Sequence, residues 1–116
     1  MVYTSWWNNL RGWSGLNGWE SLGGVFNPNT EISAINRSPG NLDLFVCGND
    51  GNVYTSWWSE GNIWSSSNPQ GWLKIGWVFP ANVHVDAVAR TTGNMDLFIC
   101  GGDGKAYTSW WNPTAL

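Results

Sequence analysis

Apolar residues in this chain come in short runs cut by glycine, asparagine and proline, and the runs recur in a fixed order. Run A is Glu31–Arg37, with a second copy at His84–Arg90. Run B is Leu42–Cys47, repeated as Met95–Cys100. Run C is Val53–Trp58, with copies at Val2–Trp7 and Ala106–Trp111. Run D is Gly71–Trp77, with a counterpart at Gly18–Gly24. Ser38–Asn41 and Thr91–Asn94 separate A from B; Asn49–Asn52 and Gly102–Lys105, each carrying Asp-Gly, separate B from C. Asp-Gly suits a tight hairpin because glycine takes a positive φ without steric cost. The pattern predicts strands joined by hairpins and no amphipathic helix. Run B is apolar at successive positions, as expected of a strand covered on both faces.

The runs belong to a tandem repeat. Tyr-Thr-Ser-Trp-Trp occurs at Tyr3–Trp7, Tyr54–Trp58 and Tyr107–Trp111, at spacings of 51 and 53 residues. Asn41–Trp58 aligns without gaps on Asn94–Trp111, with 13 of 18 positions identical. A period near fifty, with four strands in each unit, predicts an all-β fold of β-propeller blades. Each blade is a meander of four antiparallel strands. Residues 31–78 supply one complete blade, 79–116 supply strands A to C of another, and 1–30 supply strands C and D. Two blades subtend too small an arc for the ends of one chain to meet. The ring is therefore expected to be completed by oligomerisation, most simply a homotrimer with six blades. One run C is left over in this accounting.

Composition narrows the function. The chain has 11 Trp in 116 residues, more than a core of this size needs, so some rings belong to a binding surface or an interface. Net charge is −3 with no basic cluster, which argues against nucleic acid as a partner. No apolar stretch approaches the roughly 20 residues of a membrane span. Run C begins at Val2, so no signal peptide is expected, and localisation stays open. Cys47 and Cys100 hold equivalent positions inside apolar runs and are read as buried free thiols. With His84 the single histidine and one Asp per hairpin, neither a metal site nor any cofactor is expected.

The segments Asp43–Trp58 and Asp96–Trp111, each carrying Asp-Leu-Phe, Gly-x-Asp-Gly and Tyr-Thr-Ser-Trp-Trp, resemble the blade repeat of the bacterial PLL-like β-propeller lectins. Gly71-Trp-Leu-Lys-Ile-Gly76 extends the resemblance, which runs from Val2 to Trp111. It implies a non-catalytic, multivalent lectin for L-fucose or related fucosylated glycans. Members of that family encode a whole propeller in one chain, and this chain encodes about two blades.

Candidate sugar-binding residues lie mainly on the rim of the A–B and C–D loops. Arg37 and Asn41, Arg90 and Asn94, and the group Trp58, Glu60, Asn62 and Trp64 meet there, with Trp7, Trp13 and Trp111 as repeat counterparts. Indole faces stack on the C–H patch of a pyranose, and planar amide, carboxylate and guanidinium groups fix its hydroxyls. Trp13 and Trp64 sit in polar loops and favour function. In each Trp-Trp pair the two rings point to opposite faces, so at least one is expected in the core. Arg37 and Arg90 either face ligand or pair with Asp43 and Asp96 across the hairpin. Trp19, Trp72 and Trp77 on run D either wall an inter-blade site or pack under the C–D loop. A propeller glycosidase would need a unique carboxylate pair, which the eight acidic residues do not suggest. An engineered or excised propeller piece that assembles without binding ligand shares every fold-level feature with the lectin reading.

Overall fold

The computed structural model describes residues 1–8, 12–13, 19–62, 64–67, 71–76 and 78–112. Their strands are β1 (Val2–Thr4), β2 (Trp7–Asn8), β3 (Gly12–Trp13), β4 (Glu20–Gly23), β5 (Ser33–Ile35), β6 (Asn41–Cys47), β7 (Val53–Ser59), β8 (Leu73–Gly76), β9 (Val85–Thr91), β10 (Asn94–Cys100) and β11 (Ala106–Trp111). The fold is all-β and every ladder is antiparallel. A central sheet has the order β5-β6-β7-β8, and a three-stranded sheet has the order β11-β10-β9. β1-β4 and β2-β3 form two short ladders. The single helical turn described, a 3-10 turn at Ser65–Ser67, is far too short to cross a membrane.

The repeat in sequence is a repeat in register. Asp43 lies opposite Trp57 and Cys47 opposite Val53 in the central sheet. Fifty-three residues later Asp96 lies opposite Trp110 and Cys100 opposite Ala106. Even the irregularity recurs: Val53 faces Gly76, the ladder slips, and Tyr54 faces Lys74. Val2 faces Gly23, the ladder slips, and Tyr3 faces Ser21. The first run C is shorter than expected. It breaks after Thr4, and Trp7 pairs instead with Trp13 in the separate β2-β3 ladder. The N-terminal run D is held by β1 and lies outside the β9–β11 sheet.

Both faces of the central sheet are covered, which explains the unbroken apolar run in β6. Phe45, Cys47 and Val53 on one face pack against Val85, Met95 and Ile99 of the three-stranded sheet. Leu44 on the other face packs with Val2 and Leu22 of β1-β4 and with Trp64. Fully burying a side chain of this size stabilises by about 1.5–3 kcal/mol. An aromatic contact joins each neighbouring pair of sheets at the same place. Phe26 meets Tyr54 edge-on at 5.9 Å, and Phe79 meets Tyr107 edge-on at 6.1 Å. Each tyrosine hydroxyl donates to the hairpin aspartate below it, Tyr54 to Asp50 and Tyr107 to Asp103, both at 2.5 Å. That bond, followed by the Asn52 amide, pulls the Asp50 carboxyl down to about 2.

Cys100 does not share the fate of Cys47. Both thiols are free, Cys47 is fully buried, and Cys100 is exposed, contrary to the sequence expectation. The reason is position in the stack: no sheet among the described residues lies over the far face of β9–β11.

Two hairpin glycines separate conformational strain from packing. Gly51 and Gly104 both have φ of 79°. A Cβ on Gly51 would collide with the Phe79 carbonyl oxygen, whereas one on Gly104 meets nothing within 4 Å. Gly104→Ala is expected to cost the left-handed penalty alone, about 1–2 kcal/mol. Gly51→Ala should cost measurably more and loosen the Phe79 N–H bond to Gly51 O, now 2.8 Å. Urea denaturation of the two variants reads the difference, and equal costs would contradict this packing.

Candidate functional site

A cleft of about 340 Å³ lies between the outer halves of the two larger sheets. β6, β7 and β8 form one wall with Asp43, Phe45, Thr55, Trp57, Leu73 and Ile75. β10 and β11 form the other with Met95, Leu97, Ser109, Trp110 and Trp111. Strand alternation sets this up: Asp43 and Trp57 are cross-strand partners. Trp111 stands opposite Met95 on the facing sheet.

Arg37 spans the gap. Its Nε lies 3.3 Å from Asp43 Oδ2, and its guanidinium carbon sits 4.8 Å over the centroid of the Trp111 ring. A cation over an indole face is attracted by the ring quadrupole. Asp43 is 3% exposed, and burial pushes its carboxyl above the ordinary value of 3.8 against the opposing pull of Arg37. The pair is close but not aligned as a hydrogen bond, so Arg37 Nε and Asp43 Oδ2 both lack one. A buried donor and acceptor left unsatisfied carry a desolvation cost that a ligand hydroxyl can relieve. The cleft thus offers a guanidinium and a carboxylate flanked by the Trp57 and Trp111 indoles. Asp43 is the one carboxylate among its described lining residues.

Of the candidates, Arg37 and Trp111 are brought together, and Arg37 also makes the hairpin ion pair. Its repeat counterpart Arg90 lies 3.2 Å from Asp96, but the Arg90 side chain is 61% exposed. The other rim candidates do not converge on the cleft. Asn41 donates to Ser38 Oγ at 2.6 Å, Asn62 to Ser59 Oγ at 2.9 Å, and Asn94 to Thr91 Oγ1 at 2.6 Å. These amides close their own turns. The Glu60 amide donates to Gly40 O at 2.8 Å, which ties the C–D loop to the A–B turn. Trp58 packs on the Leu44 cluster. Trp72 meets Phe26 edge-on at 5.3 Å and donates from Nε1 to Leu22 O at 3.1 Å. Trp19, its counterpart, is 66% exposed. The side chains of Trp7 and Trp13 and the whole of Trp77 lie outside the described residues.

Trp64 is placed differently from its reading as a loop residue turned to ligand. It is 9% exposed and packs with Val2, Leu22 and Leu44. The neighbouring serines explain this. Ser66 Oγ accepts a 2.8 Å bond from Ser56, and Ser65 Oγ accepts from the Trp57 amide at 2.9 Å. They fold the polar loop back over the sheet and carry the indole inward. Trp64→Ala is expected to destabilise by about 3–5 kcal/mol, in line with large-to-small core changes. A thermal melt unchanged within a degree would contradict that role.

Trp57, a wall of the cleft, was not picked out by rim reasoning. Its signal was parity: it is the direct cross-strand partner of Asp43, whereas Trp110, the partner of Asp96, belongs to the opposite face of its sheet. No grouping of three or more His, Cys, Asp or Glu able to hold a metal occurs among the described residues. His84 lies between Glu31 at 3.0 Å and Asp86 at 3.3 Å on an exposed surface.

No protein-family model matches the chain, and no curated protein matches it. Among solved structures it is similar to the BP39L lectin from Burkholderia pseudomallei, with a TM-score of 0.70 and 24% identity. The match covers 98% of this chain and 35% of that lectin, so the chain spans about a third of its length. A likeness at this identity establishes the fold.

Proposed function

We propose that the protein is a non-catalytic carbohydrate-binding lectin of the β-propeller type, and that the sugar sits in the cleft between sheets. The observation that carries the reading is the Arg37–Asp43 pair, ion-paired yet lacking hydrogen bonds at Nε and Oδ2, beside Trp57 and the Trp111 ring. A pyranose supplies what this arrangement lacks. Vicinal hydroxyls accept from Arg37 and donate to Asp43, and a C–H face or methyl rests on indole. The lectin of similar fold supports the same class of ligand. A glycosidase would need a second carboxylate across the cleft, and the described lining holds Asp43 alone.

Within that class L-fucose is the proposed ligand, on the resemblance carried by Asp43–Trp58 and Asp96–Trp111. Tryptophan fluorescence during titration with L-fucose, D-mannose, D-galactose and N-acetylglucosamine tests both levels. Quenching by fucose at the lowest concentration supports the specific reading. Preference for another sugar retains the lectin and discards fucose. No response to any of the four would discard both and leave the repeat as a scaffold.

A further inference from the structure

Each end of the sheet stack carries exposed apolar residues whose repeat counterparts are covered inside the chain. On β10 the open face presents Phe98, 47% exposed, while its repeat counterpart Phe45 is 3% exposed. Cys100 is exposed and its counterpart Cys47 is buried. At the other end Ile32 is 42% and Leu42 38% exposed. Their counterparts Val85, at 1%, and Met95, at 7%, belong to the cluster that covers Phe45 and Cys47. The surface that would cover Phe98 is thus a copy of one that already covers Phe45; Leu44 and Val46 within it are buried, and its Ile32–Leu42 part stands open on the same molecule. A groove lined by Val2, Phe26, Thr30, Ile32 and Val46 lies at that end.

We propose that copies of this chain associate head to tail, the Phe98 face of one covering the Ile32–Leu42 face of the next. The contact builds a second cleft in which Arg90 and Asp96 of one copy face Trp58 of the other. The internal template gives each role. Arg90 and Asp96 repeat Arg37 and Asp43, and Trp58 repeats Trp111, the ring under Arg37. Different patches meet in such an interface, so it is heterologous and propagates until it closes. β1 and β11 carry the same pentapeptide and claim the same place between β10 and the neighbour's β4. Whichever strand stands there, the new cleft receives the same Tyr-Thr-Ser-Trp-Trp side chains.

The ligand of the second cleft rests on the lectin reading; the interface does not. Native mass spectrometry without sugar tests the interface. The wild-type chain should form a closed oligomer, and Phe98→Asp and Ile32→Asp should each be monomeric with unchanged circular dichroism. Mixing the two variants should give a heterodimer and nothing larger, because one good face remains on each. A monomeric wild type, or an oligomer that survives both substitutions, would overturn the proposal. Titration with L-fucose then separates the two claims. Two sugars per chain in the oligomer and one in Phe98→Asp is the expected result. One per chain in both would overturn the second cleft. Assembly without any sugar binding would retain the interface and reject the lectin reading.

Discussion

Phe45→Ala is expected to destabilise the chain by about 3–5 kcal/mol, and Phe98→Ala, the same residue one repeat later, by less than about 1 kcal/mol. The two phenylalanines follow the same Asp-Leu and share strand position and register, Phe45 opposite Thr55 and Phe98 opposite Thr108. They differ in what lies over them. Phe45 is buried among Val53, Val85, Met95 and Ile99, and half of Phe98 is open. Removing a buried ring forfeits its transfer energy and leaves a cavity, whereas removing an open one does neither in full. Denaturant titration in dilute solution, below the association concentration, measures both. Equal losses would mean that Phe98 is already covered and that the stack does not end there.

The second large effect concerns Asp43. Burial raises its carboxyl above 3.8, so the folded chain binds this proton more tightly than the unfolded chain does. By linkage, stability from this group is greatest below the unfolded value and is lost as pH rises through the raised folded value. Asp50 has the opposite sign. Its carboxyl is lowered to about 2, so its contribution is present above the unfolded value and lost as pH falls toward 2. Sugar binding follows Asp43, because the ionised form is the acceptor. Binding should weaken on acidification at a higher pH than an ordinary carboxylate would give. Asp43→Asn should remove that inflection and weaken binding by tenfold or more, a hydrogen bond to a charged group being worth about 1.5–3 kcal/mol. Asp43→Ala should also destabilise the fold. It strands a half-buried Arg37, and breaking a buried pair costs about 3–5 kcal/mol. Asp96→Ala, whose partner Arg90 has a 61% exposed side chain, should cost at most about 1 kcal/mol. A pH-independent affinity would remove Asp43 from the site.

Much of the fold was legible because the repeat carries its own turn chemistry. Asp50-Gly51 and Asp103-Gly104 fix hairpins, and the hairpins fix the register that places Asp43 opposite Trp57. Run D was legible in type but not in extent, since β8 covers only Leu73–Gly76. The candidate site was legible in part. Arg37 and Trp111 were found from loop position and repetition, but their meeting depends on two sheets facing each other, which no local pattern encodes. Trp57 was missed because adjacent tryptophans on one strand look equivalent until the facing sheet is known. Trp64 was misread because a serine-rich loop reads as solvated, while Ser65 and Ser66 spend their hydroxyls on β7 and turn the loop inward. Cys100 repeats Cys47 in sequence but not in burial, because a repeat fixes which face is apolar and not whether a neighbour lies over it.

The central claim is that the cleft between sheets binds sugar through its indoles and the Arg37–Asp43 pair. Trp111 is the cleanest probe: its ring lies against the Arg37 guanidinium, and it is 43% exposed and therefore removable without opening the core. Isothermal titration of L-fucose into the wild-type chain and into Trp111→Ala tests the claim directly. The account predicts saturable binding to the wild type and at least tenfold weaker binding to the variant, with the same melting temperature. Equal affinity in the two proteins, or no heat of binding from either, would contradict it.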